Sequence, residues 1–224
     1  QVEEPAPTEP FVDVNEGDWF YDAVVYAYQN ELMDGVGGNR FAPNSETTRA
    51  QLVTILYRLE GQPAVSGDLP FTDVEARDVQ AVRYVCENGL MAGVSADRFE
   101  PNGTLTRGEA VTALWALEGR PVVNYLMDFS DVDPAASYGE AVRWAASQGI
   151  AGGYGGGLFG PDDPITREQL AVMLYRYARH EGYDTAQGGM AVREFADYDQ
   201  IAGYAAEAMT WAVEAGVLTA TSLD

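Results

Sequence analysis

A chain of 224 residues, 46% hydrophobic and 11% aromatic, is long and apolar enough to bury a substantial core. Thirty-five acidic residues face 13 basic ones, all arginine, for a net charge of −22. That balance excludes nucleic acid and an anionic membrane surface as partners, because no basic stripe is present to displace counterions. A single cysteine, Cys86, rules out an internal disulfide and, in its apolar stretch, reads as an inert core thiol.

Residues 1–10, QVEEPAPTEP, are acidic and proline-rich and read as a linker. They carry no initiator Met and no signal peptide, a start that fits a processed or excerpted secreted chain. No apolar run approaches the ~20 residues of a membrane span.

From residue 11 the chain repeats itself, which is the strongest organisational signal a sequence can carry. The first unit, 11–66, opens with Phe11-Val12-Asp13. A helix follows with Ala23 and Tyr26 on one face and Leu32 beyond its end. A loop reaches Phe41-Ala42-Pro43, and a second helix over about 49–60 follows Thr48-Arg49-Ala50-Gln51, with Leu52, Ile55, Leu56 and Leu59 as its apolar stripe.

The second unit, 67–124, gives Phe71-Thr72-Asp73, Ala81, Tyr84, Leu90, Phe99-Glu100-Pro101 and Thr106-Arg107-Gly108-Glu109, with a helix over about 107–118. The third, 125–190, gives Phe129-Ser130-Asp131, Ala141, Trp144, Ile150, Phe159-Gly160-Pro161 and Thr166-Arg167-Glu168-Gln169, with a helix over about 167–181. A fourth, 191–224, repeats only the first half, through Phe195-Ala196-Asp197, Ala208, Trp211 and Val217.

Before the closing aliphatic stand Glu31, Gly89, Gly149 and Gly216; glycine there ends a helix by taking the left-handed conformation, so Glu31 breaks the pattern. Each unit is helix, long loop, helix. Neither helix buries its stripe alone, so the units must pack on one another in an all-α body.

The Thr-Arg-x-Gln/Glu motif is a capping box: Thr48, Thr106 and Thr166 at N-cap, with Gln51, Glu109 and Gln169 at N3. Capping leaves Arg49, Arg107 and Arg167 unexplained, since a cation at N1 opposes the helix dipole by ~0.3–1 kcal/mol. Two uses are open. One is pairing with a nearby carboxylate. The other is an anion site built from the guanidinium and the free amides of the helix N-terminus.

Tyr26, Tyr84, Trp144 and Trp211 fit the core, with sugar stacking as a second role for Trp144. Gly152-Gly153-Tyr154 serves a turn, or lets a sugar approach the backbone. Gly155-Gly156-Gly157 lacks the strand and lysine of a phosphate loop. His180 has no partner cluster in the sequence, which argues against zinc or a catalytic triad. Asp131, Asp133, Asp162 and Asp163 offer carboxylates for calcium without the spacing of an EF-hand. No metal and no cofactor is expected.

These motifs, in register three times over about 11–224, resemble the S-layer homology domain family. The resemblance implies a pseudo-threefold bundle with the second helices at its centre and ligand grooves between repeats. It also implies an extracellular location at the bacterial cell surface. The implied role is non-covalent anchoring to secondary cell-wall polysaccharide or another peptidoglycan-linked glycan, recognised in many members through a pyruvylated N-acetylmannosamine. Carried onto this chain, the ligand-binding residues are Arg49, Arg107 and Arg167, Thr48, Thr106 and Thr166, Gln51, Glu109 and Gln169, together with Trp144, Gly153 and Tyr154. Gln51 and Gln169 depart from the acidic end of the family motif.

Two other classes compete. A protein–protein or self-assembly module would use the same grooves. A glycosidase would need paired carboxylates, but the acids scatter over repeated elements instead of gathering in one place.

Overall fold

A computed structural model describes residues 11–183. The proposed linker and the partial fourth repeat, with Trp211 and Gly216, lie outside the described residues. Six helices follow in order: α1 (Tyr21–Gln29), α2 (Arg49–Leu59), α3 (Val79–Glu87), α4 (Arg107–Leu117), α5 (Gly139–Ser147) and α6 (Arg167–His180). Among the described residues the only β features are isolated bridges, so the fold is all-helical as expected.

The helices stop where the sequence says they must. Gly89 and Gly149 sit at φ 63° and 69°, and the amides of Leu90 and Ile150 reach back to the Val85 and Ala145 carbonyls. These are Schellman ends, closing the last turn of α3 and α5. Glu31 adopts the same left-handed conformation, at φ 57°, and Leu32 bonds Ala27 in the same way. The break in the pattern is therefore one of side chain, not of backbone.

Each repeat hands its second helix to the next repeat's first helix: α2 packs on α3, α4 on α5, and α6 returns to α1. The three units close into a triangle. At its centre Thr47, Leu105 and Ile165 exchange backbone hydrogen bonds head to tail, with each amide donating to the next carbonyl at 2.9–3.0 Å. This central position explains a difference from the sequence reading. Val53, Val111 and Ala171 are fully buried beside the expected stripe, while Leu59 and Leu117 are only partly covered. A helix walled on two sides needs a wider apolar face than a surface helix.

Phe-x-Asp and Phe-x-Pro, distant in sequence, form one clasp within each repeat. Phe11 packs on Phe41, Phe71 on Phe99, and Phe129 on Phe159, with ring centroids 5.3–5.5 Å apart. The aspartate receives two backbone N–H donors from the Phe-x-Pro loop. Asp131 accepts from Phe159 at 2.8 Å and Gly160 at 2.7 Å, and Asp13 and Asp73 do the same in their repeats. The middle residue of Phe-x-Pro (Ala42, Glu100, Gly160) lies at positive φ in every case, which aims both amides at one carboxylate.

Candidate functional site

The three arginines are nearly inaccessible, each 4% exposed. Their side chains leave the helix that bears them and enter the neighbouring repeat. Arg49 donates through Nε to the Phe99 carbonyl at 3.0 Å and through Nη2 to Ala92 at 2.6 Å. Arg107 does so to Phe159 at 3.1 Å and Gly152 at 2.8 Å, and Arg167 to Phe41 at 2.7 Å and Asp34 at 2.6 Å. Each guanidinium also lies over the Phe-x-Pro phenylalanine, 4.4–4.8 Å from its centroid. Desolvation draws the pKa of Arg107 and Arg167 down from the usual arginine value, opposed by nearby acidic groups; both remain cations. The N1 arginine thus staples one repeat to the next, mainly through carbonyls where sequence alone suggested carboxylates.

The capping boxes form in full: Thr48, Thr106 and Thr166 accept from the N3 amides, while Gln51, Glu109 and Gln169 accept from the N-cap amides. The expectation of free helix amides is overturned. The N1 and N2 amides of α4 donate to the carbonyls of Asp163 and Pro161, those of α2 to Gly103 and Pro101, and those of α6 to Ser45 and Pro43. With N-cap and N3 satisfied by the box, all four orphan donors are taken. Any anion must be met by side chains instead of by the helix terminus.

What remains open is a groove beside each second helix, between its own repeat and the following one. The groove of the first repeat encloses about 440 Å³, with Arg167 at its inner end and Arg77 at its rim. That of the second encloses about 550 Å³, between Arg49 and Ser137. That of the third encloses about 250 Å³, between Arg107 and Trp19. Thr48, Gln51, Thr106, Glu109 and Gln169 line these grooves as well. Thr166 serves its cap without appearing among the lining residues.

Gly153 and Tyr154 line the third groove. A Cβ at Gly153 would stand 2.4 Å from the Leu158 carbonyl oxygen and 2.8 Å from the Phe129 ring, so glycine is required by packing there. Tyr154 is half exposed, its ring 4.5 Å from the Arg107 guanidinium. Trp144 is different: it is 1% exposed and packs on Tyr177 and His180. No face of it is left for a sugar, which corrects the stacking role.

Sequence reasoning missed Trp19, Arg58, Arg77 and Arg176, all groove-lining. Trp19 stands four residues before Ala23, where the other repeats have Arg77 and Ser137. A search for repeated residues passes over a position that does not repeat.

His180 does have neighbours. Its Nε2 lies 3.7 Å from Glu118 and 3.9 Å from Glu181, and the three ligand atoms lie within 4.8 Å of one another. Among the described residues this is the one such trio, so Asp131, Asp133, Asp162 and Asp163 do not converge. Cys86 is part-buried, and burial raises its pKa against the opposing charge of Arg49, as suits an unreactive thiol. No helix among the described residues is long and apolar enough to cross a membrane.

The S-layer homology domain profile matches residues 10–53, 70–111 and 128–171, together more than half of the chain. The chain is 28% identical over 182 residues to an endoglucanase of Bacillus sp. (strain KSM-635), covering 77% of this chain and 19% of that protein. It is 35% identical over 157 residues to the surface-layer 125 kDa protein of Lysinibacillus sphaericus, covering 65% and 13%. It is 29% identical over 129 residues to a cellulosome-anchoring protein of Acetivibrio thermocellus, covering 54% and 29%. The chain therefore spans less than a third of the length of these relatives.

Proposed function

Because this chain belongs to the S-layer homology domain family, a family of the bacterial cell surface, we propose that it is a non-catalytic module that holds its parent protein there by binding an anionic, peptidoglycan-linked secondary cell-wall polysaccharide. The observation that carries this reading is the set of three solvent-open grooves between repeats, each with a buried arginine in its wall. A guanidinium fixed in the wall of a concave site is a preorganised receptor for a carboxylate, such as that of a pyruvate ketal. The relatives bear the names of an endoglucanase, a surface-layer protein and a cellulosome-anchoring protein, and share no single activity in those names. Anchoring, named in the cellulosome-anchoring protein, is a role that one module can serve in such different proteins, which supports the reading.

Long-range electrostatics oppose this ligand. A net charge of −22 repels an anionic polymer, although screening confines the repulsion to about 8–10 Å at physiological salt. Affinity must therefore come from the grooves themselves, and it should change little when salt is raised.

The test is retention of the chain on purified cell-wall sacculi, with free wall polysaccharide as competitor. Retention that the polysaccharide abolishes is the expected result. Absence of retention, or retention that the polysaccharide leaves untouched while the chain associates with itself, overturns the reading in favour of a self-assembly module.

A further inference from the structure

Every second helix ends on the same pair of residues. Glu60-Gly61, Glu118-Gly119 and Glu181-Gly182 follow α2, α4 and α6, with the glutamate at C-cap and the glycine beyond it at φ 72°, 79° and 75°. The glycine serves the helix end. The glutamate does not: a carboxylate at a helix C-terminus opposes the macrodipole by ~0.3–1 kcal/mol, and a cation is what that end favours. Among the described residues no arginine forms an ion pair with Glu60, Glu118 or Glu181.

α6 runs for 14 residues where α2 and α4 run for 11, and it ends on His180 where they end on Leu59 and Leu117. Its end meets the end of α4. His180 Nε2 lies 3.7 Å from Glu118 Oε1 and 3.9 Å from Glu181 Oε1, with the ligand atoms of all three residues within 4.8 Å of one another. Both distances exceed hydrogen-bond range, so the imidazole donates to neither carboxylate. They are close to the spacing of donors around a shared ion: bonds of about 2.0–2.2 Å to a tetrahedral ion set its donors about 3.3–3.6 Å apart. Small side-chain rotations close the remaining gap.

Buried aromatics position two of the three side chains. Glu118 Oε2 accepts from the Tyr177 hydroxyl at 3.4 Å, which leaves Oε1 facing the imidazole. The His180 ring stands edge-on to Trp144, with centroids 6.1 Å apart. Tyr177 and Trp144 belong to the core and give the cluster a fixed floor, while His180 and Glu181 are exposed and open to an ion from solvent. Glu60 lies near enough to act on Glu181 and adds a further negative charge. An outer donor that orients a ligating carboxylate is the usual support of a metal site.

We propose that Glu118, His180 and Glu181 form a metal site for a divalent transition ion, zinc foremost, which clips the end of α4 to the end of α6 and so joins the second repeat to the third. One imidazole and two carboxylates are a zinc donor set, with water as fourth ligand, whereas calcium and magnesium favour oxygen donors throughout. The ion neutralises carboxylates that otherwise repel one another and the helix ends that bear them. None of the three residues lines a groove, so the site is independent of the glycan-binding reading.

The experiment is calorimetric titration of the full, untagged chain, first stripped of metal with a chelator, using Zn²⁺ alone and, separately, Ca²⁺ alone. One zinc per chain is expected, with Ca²⁺ bound at least about tenfold more weakly. His180→Asn and Glu118→Gln, both outside the core, each weaken zinc by about tenfold or more, and Tyr177→Phe, which removes only the outer hydroxyl, weakens it by about tenfold. In thermal unfolding, zinc at about a hundredfold above its Kd raises the melting temperature of the parent by roughly 5–10 °C and leaves that of His180→Asn unmoved.

Absence of zinc binding, a preference for Ca²⁺, or an affinity that survives both His180→Asn and Glu118→Gln overturns the site. Zinc binding that ignores Tyr177→Phe and leaves the parent's melting temperature unchanged marks a loose surface chelate and overturns the clip. Should Tyr177→Phe fail to fold, the melting temperatures of parent and His180→Asn with and without zinc decide the question in the same way.

Discussion

Replacing Arg107 by methionine removes the guanidinium and keeps much of the aliphatic stem. Two hydrogen bonds from a charged donor vanish, to Phe159 at 3.1 Å and Gly152 at 2.8 Å, and two carbonyls of the third repeat lose their partner. Each such bond contributes about 1.5–3 kcal/mol, and the contact over the Phe159 and Tyr154 rings adds about 1 kcal/mol. Against this stands the desolvation cost that the buried cation no longer incurs, of several kcal/mol. The balance is a destabilisation of about 2–4 kcal/mol.

Urea unfolding followed by tryptophan fluorescence reports on Trp144 in the core. With a slope of about 2 kcal/mol per M, the midpoint falls by about 1–2 M. Arg107→Lys does not restore it, because one ammonium cannot span both carbonyls in the planar geometry of the fork. Arg176→Met, at an exposed position, shifts stability by less than about 0.5 kcal/mol. An Arg107→Met midpoint within ~0.2 M of the parent would refute the staple. The same reasoning makes alanine substitution of Arg49, Arg107 and Arg167 a poor test of ligand binding, since lost wall retention would report lost repeat packing as well.

Four further outcomes follow from the same structure. Asp131→Asn retains one acceptor and turns an amide NH₂ toward a backbone N–H donor, costing about 1–2 kcal/mol in urea unfolding. For Asp73 the Phe99 amide is the largest influence; for Asp13 and Asp131 desolvation is the largest single influence and raises the pKa, but the loop amides, with Arg40 and Arg107 respectively among the further contributors, together outweigh it, so all three pKa values are lowered. A depressed folded pKa gives stability that is present above the unfolded value near 3.9 and lost as pH falls through the folded values, so the melting temperature drops below about pH 4, less steeply in Asp131→Asn. Thr47→Val stabilises by about 1 kcal/mol in thermal unfolding, because the fully buried Thr47 hydroxyl has no hydrogen-bond partner among the described residues and its two counterparts are Leu105 and Ile165. Glu31→Gly raises stability by about 0.5–1 kcal/mol, since Glu31 holds at φ 57° a conformation that glycine adopts freely in the other repeats; a loss of stability would contradict this.

The sequence by itself determined everything that rests on neighbouring residues. The 3.6-residue stripes, the Thr-x-x-Gln/Glu boxes and the left-handed glycines act within a turn or two of helix, so the six helices among the described residues and the bounds of the second helix in each repeat were legible from local chemistry. The arginines stood out because the helix dipole disfavours them at N1, but the reason they are there lies one repeat away. Only the tertiary structure decided that α6 returns to α1, that loops of adjacent repeats take the N1 and N2 amides, that Phe-x-Asp clasps Phe-x-Pro, and that Trp144 turns inward while Trp19 faces a groove. Those contacts join residues up to 133 positions apart, as between Arg167 and Asp34. No periodicity encodes such a pairing; it exists only once hydrophobic closure of three repeats has brought the carbonyls within reach of the guanidinium.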